Sequence, residues 1–460
     1  MPARYEVAYD GGPIIHMTAY LPEGDGRLLI AEEGGIDQLP DQWATFIRNL
    51  RVTTAGGAAI PATSAGKSGW TIRANVAVEL RYDVALDYAV GRWPAGNEQS
   101  GRLFPHALYS VTKPLFLYTT GVTRSAIHFS LPAGWKVAAP WKSTGANDFE
   151  AASVPSLTGN SLVLGQFPTA AVRVGQFNVT IATPGYTEVP PLLAKALAET
   201  GAMVTRVFDR TPPGRYLVTF FREDVEDGES YEDSAAMTSP FPFDSAGMVV
   251  TGNTLVHELL HYWIGGRIAP ADHDSIAWFT EGFTEYYANV ALARSGAVPH
   301  DLLAMKLTNH VAGYLYFMES PLFAKVTLAE AGRKKSSYRF GVYNGGWTVA
   351  LSLDVMIREE SKGRKSLDDA MRLLFERHGL TRQPVSSDDI RKAASDVIGR
   401  DLSGFFDKYV AKREELPVAE TLAKLGLELR GQPYAADVFL IDAPSISAAQ
   451  RTLRHAIFGF

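Results

Sequence analysis

A change of hydrophobic period along the chain restricts its fold more than any other feature. From the start to about Pro168, apolar residues alternate: Ile72, Ala74, Val76, Val78, Leu80, Tyr82 and Val84 form one series, and Ile127, Phe129 and Leu131 another. A period of two puts such residues on one face of a half-buried strand. Turn clusters such as Pro22-Glu23-Gly24-Asp25-Gly26 and Pro132-Ala133-Gly134 separate the runs, which predicts an antiparallel β domain over 1–168. Residues 172–181 and 216–221 continue as strands, whereas 192–207 carries apolar residues at helical spacing after Pro190-Pro191.

After about Thr251 the period becomes helical. A helix begins near Ser366, with Ser as N-cap, Asp368 and Asp369 in the first turn, and Gly379 as a stop signal. Further helices are predicted over 346–360, 387–398 and 402–411, and Pro417 opens another. Beyond Gly426 the pattern turns strand-like and then loses its period. The expected organisation is a β domain over 1–168, a mixed domain over 169–426 that is helical toward its C-terminus, and a tail over 427–460.

Composition narrows the function classes. At 460 residues, with 46% hydrophobic and 20% charged residues, the chain can bury a sizeable core. Lys+Arg number 44 against 50 Asp+Glu, a net charge of −6 with no basic block, so nucleic acid is not an expected partner. Every long apolar run is broken by His, Glu, Arg or Asp, so no membrane span is expected. Cys is absent, which excludes disulfides and thiolate-bound metals and leaves His and carboxylates as the available ligands. That absence favours an exported or periplasmic protein whose signal has been removed over a cytoplasmic one.

The chemistry concentrates in His257-Glu258-Leu259-Leu260-His261. Two imidazoles four residues apart on a helix point from one face and can grip one metal ion, and Glu258 can reach a water beside it. Asn253 or Thr254 is the expected cap, with Gly265-Gly266 as the stop. Twenty residues beyond His261 lies Glu281, in Trp278-Phe279-Thr280-Glu281-Gly282-Phe283-Thr284-Glu285-Tyr286-Tyr287. A carboxylate among apolar and aromatic neighbours is costly to bury unless a cation pairs with it. Two His and one Glu with an open fourth position make the ligand set of catalytic zinc. Glu285, one turn further, is placed to hydrogen-bond a ligand imidazole.

These residues resemble a known group. His-Glu-x-x-His followed by Trp-x-x-Glu-Gly-Phe-Thr is the gluzincin pattern of thermolysin-like and aminopeptidase N-like enzymes. The chain is more narrowly similar to metallopeptidase family sixty-one, the glycyl aminopeptidases, through 278–287, Tyr343-Asn344-Gly345-Gly346, 353–358 and 366–372. Leu131-Pro132-Ala133-Gly134-Trp135-Lys136-Val137 and 162–167 resemble that family's N-terminal β domain. Members commonly continue into a PDZ domain, for which the residues after Leu429 are too few.

The resemblance implies an α+β multidomain fold: an N-terminal antiparallel β-sandwich-like domain and a thermolysin-like zinc metallopeptidase domain. It implies one zinc per chain on His257, His261 and Glu281, with Glu258 as the proton carrier and Tyr343 as the phenol that stabilises the tetrahedral intermediate. Gly228-Glu229-Ser230-Tyr231-Glu232-Asp233-Ser234 is the nearest match to the segment that holds a substrate's free amine, making Glu229 and Glu232 candidates. The expected activity is peptide hydrolysis by an aminopeptidase favouring small N-terminal residues such as Gly or Ala. The alternatives are a gluzincin endopeptidase with the same machinery and a non-catalytic binding or scaffold protein retaining the fold. The expected partner is a peptide substrate, and oligomeric state is left open.

Overall fold

The computed structural model describes residues 2–32, 39–431 and 438–460. They divide into two compact units. The first comprises Met1–Val172, Phe177–Pro190 and Pro213–Pro240; the second comprises Arg173–Gln176, Pro191–Pro212 and Phe241–Phe460. Both α and β structure are present, with sheets toward the N-terminus and helices toward the C-terminus, as the change of period predicts.

In the first unit an eight-stranded sheet has Ala3–Ala8, Ile14–Leu21 and Val78–Ala85 near its centre. Alternate residues of these strands, including Tyr5, Val7, Ile15, Leu80 and Val84, enter one core. The sheet is not wholly antiparallel, because Ala3–Ala8 runs parallel to Ser125–Ser130. The alternation from Ile72 to Val84 is also interrupted: Trp70–Ile72 and Val78–Ala85 are separate strands in different sheets, and Val76 between them is 44% exposed.

A further five-stranded sheet departs from the single boundary at 168. Phe177–Ala182 pairs in parallel with Gly214–Arg222, which pairs in parallel with Ser234–Ser239. Gly214–Arg222 is buried on both faces, as parallel strands generally are. Parallel strands need a long connection, and here the chain passes through the helix Pro191–Val207, a member of the second unit. The compact units therefore interleave along the sequence.

In the second unit the helices Thr251–Leu260, Gly282–Ser295, His300–Glu319 and Gly346–Glu360 carry the residues of interest. The predicted helices over 346–360 and 387–398 appear with those bounds. Ser366 and Asp369 form a reciprocal capping box before Leu367–Leu374. The tail contains the hairpin Leu427–Arg430 with Phe439–Asp442 and the helix Ala448–Phe458. No described helix is long and apolar enough to cross a membrane.

Two glycines set the distance between helices. A Cβ on Gly282 would stand 2.4 Å from Gly346 Cα, and one on Gly346 would stand 1.8 Å from the Trp278 carbonyl oxygen. Backbone meets backbone there, which only glycine allows. Glu281 immediately precedes one of these glycines and Tyr343 lies three residues before the other, so this contact brings their segments together.

Candidate metal centre

The first donor helix begins at Thr251, without a side-chain cap, so the expected capping role of Asn253 or Thr254 is corrected. Asn253 lies inside the helix and is buried because its amide has another use. Asn253, His257 and His261 recur every four residues and share a face; Glu281, Glu285 and Asn289 do the same on the facing segment. The stripes run antiparallel, since His261 meets Glu281 and Asn253 meets Glu285.

At one end three acceptor atoms converge. His257 Nε2 is 3.0 Å from His261 Nε2 and 3.3 Å from Glu281 Oε2, and His261 Nε2 is 3.4 Å from that oxygen. Tetrahedral donors at zinc's bond lengths stand about 3.4 Å apart, so the spacing fits a single ion. Both tautomers fit as well. His257 Nδ1 faces Glu285 Oε2 at 3.0 Å and His261 Nδ1 faces the Ile264 carbonyl at 3.0 Å, so each Nδ1 carries a proton and each Nε2 offers a lone pair. That lone pair is the state a bound cation would select: without one, burial disfavours a charged His257 ring, yet Glu281, Glu285 and Glu258 outweigh it and push its pKa up to about 10, so a proton occupies Nε2. The pocket is built to hold positive charge.

Glu285 is held as a carboxylate by a chain of donors whose directions can be deduced. Trp347 Nε1, which can only donate, binds Asn289 Oδ1 at 3.1 Å. Asn289 Nδ2 then donates to Asn253 Oδ1 at 2.6 Å, which leaves Asn253 Nδ2 to donate to both Glu285 oxygens at 3.0 Å. Burial alone would raise this carboxyl's pKa, but Lys306, His257 and His310 hold it well below the usual range. Lys306 Nζ is 3.3 Å and His310 Nε2 is 3.0 Å from Oε1.

Glu281 keeps one oxygen toward the imidazoles and gives the other to Lys335 Nζ at 2.5 Å. Burial opposes its charge, but His261, His257 and Lys335 keep its pKa well below the ordinary value. Glu258 is also buried, and there desolvation prevails and raises the pKa despite the neighbouring histidines. Tyr343 lies in a π-helical turn, Phe340–Gly345, that leads directly into the helix Gly346–Glu360. Its ring centroid is 6.1 Å from that of His257, with Lys335 Nζ 5.5 Å and Arg339 Cζ 5.8 Å from the phenol ring. Burial raises its pKa, so it remains a proton donor.

The second unit thus brings His257, His261, Glu281, Glu285, Glu258 and Tyr343 into one neighbourhood. Glu229 and Glu232 belong to the first unit, Glu229 on the strand Asp227–Ser230 opposite Ala236 and Glu232 in the following turn, where its N–H donates to the Gly159 carbonyl. Sequence reasoning missed Asn253, Asn289, Lys306, His310 and Lys335. The four-residue recurrence in the two stripes was a signal for the asparagines; Lys306, His310 and Lys335 come from segments with no such spacing to the motif.

Fold and site together define a zinc metallopeptidase, a hydrolase. Residues 251–337 match the family model described as M61 glycyl aminopeptidase, a stretch that includes both histidines and Glu258, Glu281, Glu285 and Lys335. The family resemblance read from the sequence is borne out over this segment. The chain is similar in structure to an aminopeptidase N family protein from Idiomarina loihiensis, with a TM-score of 0.76 and 18% identity, covering 97% of this chain and 82% of that one. It is also similar to the M1 zinc metallopeptidase from Deinococcus radiodurans, with a TM-score of 0.54 and 15% identity over 91% of this chain and 95% of that one. A mutant of the latter bound to a Tyr-Ser-Ala substrate gives a TM-score of 0.53 at 16% identity, covering 91% and 94% of the two chains. At these identities the likeness is one of fold. No curated protein matches the chain in sequence.

Proposed function

We propose that the chain is an aminopeptidase favouring peptides with a small N-terminal residue such as Gly or Ala, with one zinc ion held by His257, His261 and Glu281. The observation that carries the reading is the convergence of two lone-pair imidazole nitrogens and one carboxylate oxygen within 3.0–3.4 Å, inside the segment that matches the glycyl aminopeptidase family. Zinc, when bound, supplies Lewis acidity that lowers the pKa of water and polarises a scissile carbonyl.

The chain's own groups do the rest. Glu258, its proton affinity raised by burial, takes a proton from the attacking water and returns it to the leaving amine. Tyr343 keeps its phenol proton and donates a hydrogen bond to the developing oxyanion. Glu285 keeps the His257 tautomer fixed while this occurs. Glu229 and Glu232 are the carboxylates assigned to the substrate's ammonium, and the tripeptide held by the Deinococcus mutant sets the size of substrate to try first.

A peptide panel tests the substrate assignment. A charge-assisted hydrogen bond to the amine contributes about 1.5–3 kcal/mol, so acetylating a Gly- or Ala-initiated tripeptide should reduce kcat/KM by roughly ten- to a hundredfold. Equal hydrolysis of free and acetylated peptides, with internal bonds cleaved, would replace the aminopeptidase by an endopeptidase using the same centre.

A further inference from the structure

His310 lies on His300–Glu319, a helix that supplies none of the proposed zinc ligands, yet its ring is 5% exposed and stands between two parts of the site. Its orientation follows from its neighbours. Asn344 Nδ2 lies 3.3 Å from the Asn309 carbonyl, which can only accept, so that atom is the amide nitrogen. The same Nδ2 is 3.2 Å from His310 Nδ1, which must therefore accept. The proton of a neutral His310 is then on Nε2, which stands at ion-pair distance, 3.0 Å, from Glu285 Oε1 and makes no aligned hydrogen bond to any described residue. Burial lowers the ring's pKa, favouring the neutral form even with Glu285 beside it, while Lys306 and His257 add to the same effect.

Packing fixes the ring and the amide. The imidazole stacks on Trp347 with centroids 5.0 Å apart and planes 15° from parallel, and Trp347 anchors the Asn289–Asn253–Glu285 chain through its indole N–H. Asn344 reaches the helix because residue 313 is glycine; a Cβ there would stand 2.7 Å from Asn344 Cγ. The path thus runs from the Tyr343-bearing turn through Asn344, His310 and Glu285 to His257 Nδ1, with successive contacts of 3.2, 3.0 and 3.0 Å.

We propose that His310 is a positioning residue that ties the Tyr343 turn, through Asn344, to Glu285 and hence to the ring of His257, so that the oxyanion donor and a zinc ligand are oriented together. The inference rests on the proposed zinc-peptidase reading for its purpose, but its geometry is testable without turnover.

The experiment is nitrogen-15 NMR of the imidazoles in the full chain, metal-free and with zinc added, with His310 assigned among the ten histidines by its missing signal in His310→Gln. The expected His310 spectrum has a protonated Nε2 and a bare Nδ1. Asn344→Asp, which replaces the donor by an acceptor, should move the ring toward the doubly protonated form. His310→Phe keeps a ring against Trp347 but removes both contacts, and should weaken zinc binding by about ten- to a hundredfold. His310→Gln keeps a donor toward Glu285 but releases Asn344; it should hold zinc within roughly threefold while kcat falls about tenfold at unchanged KM. Should His310→Phe not fold, the Asn344→Asp spectrum decides alone. A His310 proton on Nδ1, or zinc affinity unaffected in a folded His310→Phe variant, would overturn the proposal. The expected tautomer in a chain that hydrolyses no peptide would sink the functional reading and leave the tie standing.

Discussion

Glu98 in the first unit and Glu285 in the second are both nearly inaccessible, at 1% and 6% exposure, yet the protein treats them in opposite ways. Glu285 accepts from Asn253 and His257 with Lys306 and His310 beside it, and stays ionised. Glu98 Oε1 has no hydrogen-bond partner; the carboxyl is helped only by its own backbone N–H, and the charges that act on it are those of Asp227, Glu229 and Glu223. Burial, with these like charges adding to it, pushes its pKa up to about 8. Burial alone therefore does not mark a functional carboxylate. What distinguishes Glu285 is an organised set of donors, costly to assemble unless something depends on the charge they stabilise.

The largest effect is expected at Glu285. Glu285→Ala leaves Lys306, His310 and the Asn253 amide facing an uncompensated space, and breaking such a buried charged network costs about 3–5 kcal/mol. Urea unfolding should show that loss, and zinc affinity should fall with it. A variant as stable as the parent would mean that the donors serve something other than this carboxylate.

Glu98 should respond in the opposite direction. The folded protein keeps the Glu98 proton up to about pH 8, whereas the unfolded chain releases it near the ordinary value of 4.5. Between those values the unfolded state binds fewer protons, so stability falls as pH rises through the window, by about 3 kcal/mol at pH 7 for this one group. Glu98→Gln removes the ionisation, so the difference in unfolding free energy between variant and parent should grow in the variant's favour from pH 5 to pH 7.5. A constant difference would show that a cation or further donors offset the burial of Glu98.

Lys306 gives the smallest effect. Its side chain is 23% exposed, so water screens part of its attraction to Glu285. Lys306→Met should cost about 1 kcal/mol and lower zinc affinity by a few-fold, measured by competition with a chelator. A loss as large as that of Glu285→Ala would make Lys306, rather than the network, the main support of the charge.

Much of this was readable in the chain because local spacing carries it. His257, His261, Glu281 and Glu285 were identifiable by position, since helical geometry converts intervals of four into a shared face. The same geometry yields Asn253 and Asn289, but in the sequence Asn253 also reads as a cap, a role that Asn favours. His310 and Lys306 were not legible, since no periodicity states which helix packs against which. The single boundary at 168 failed for the same reason: Phe177–Ala182 and Gly214–Arg222 are both locally strand-like, but their mutual pairing is a non-local fact. Ile72 to Val84 shows the reverse error, in which an unbroken alternation spans two strands in different sheets.

The measurement closest to the central claim is zinc content in the parent, Glu258→Gln and Glu281→Ala, read beside hydrolysis of a Gly-initiated peptide. About one zinc per chain is expected in the parent and in Glu258→Gln, little in Glu281→Ala, and turnover only in the parent. A parent that binds no zinc, or a Glu281→Ala protein that stays loaded while Glu258→Gln loses the metal, would contradict it.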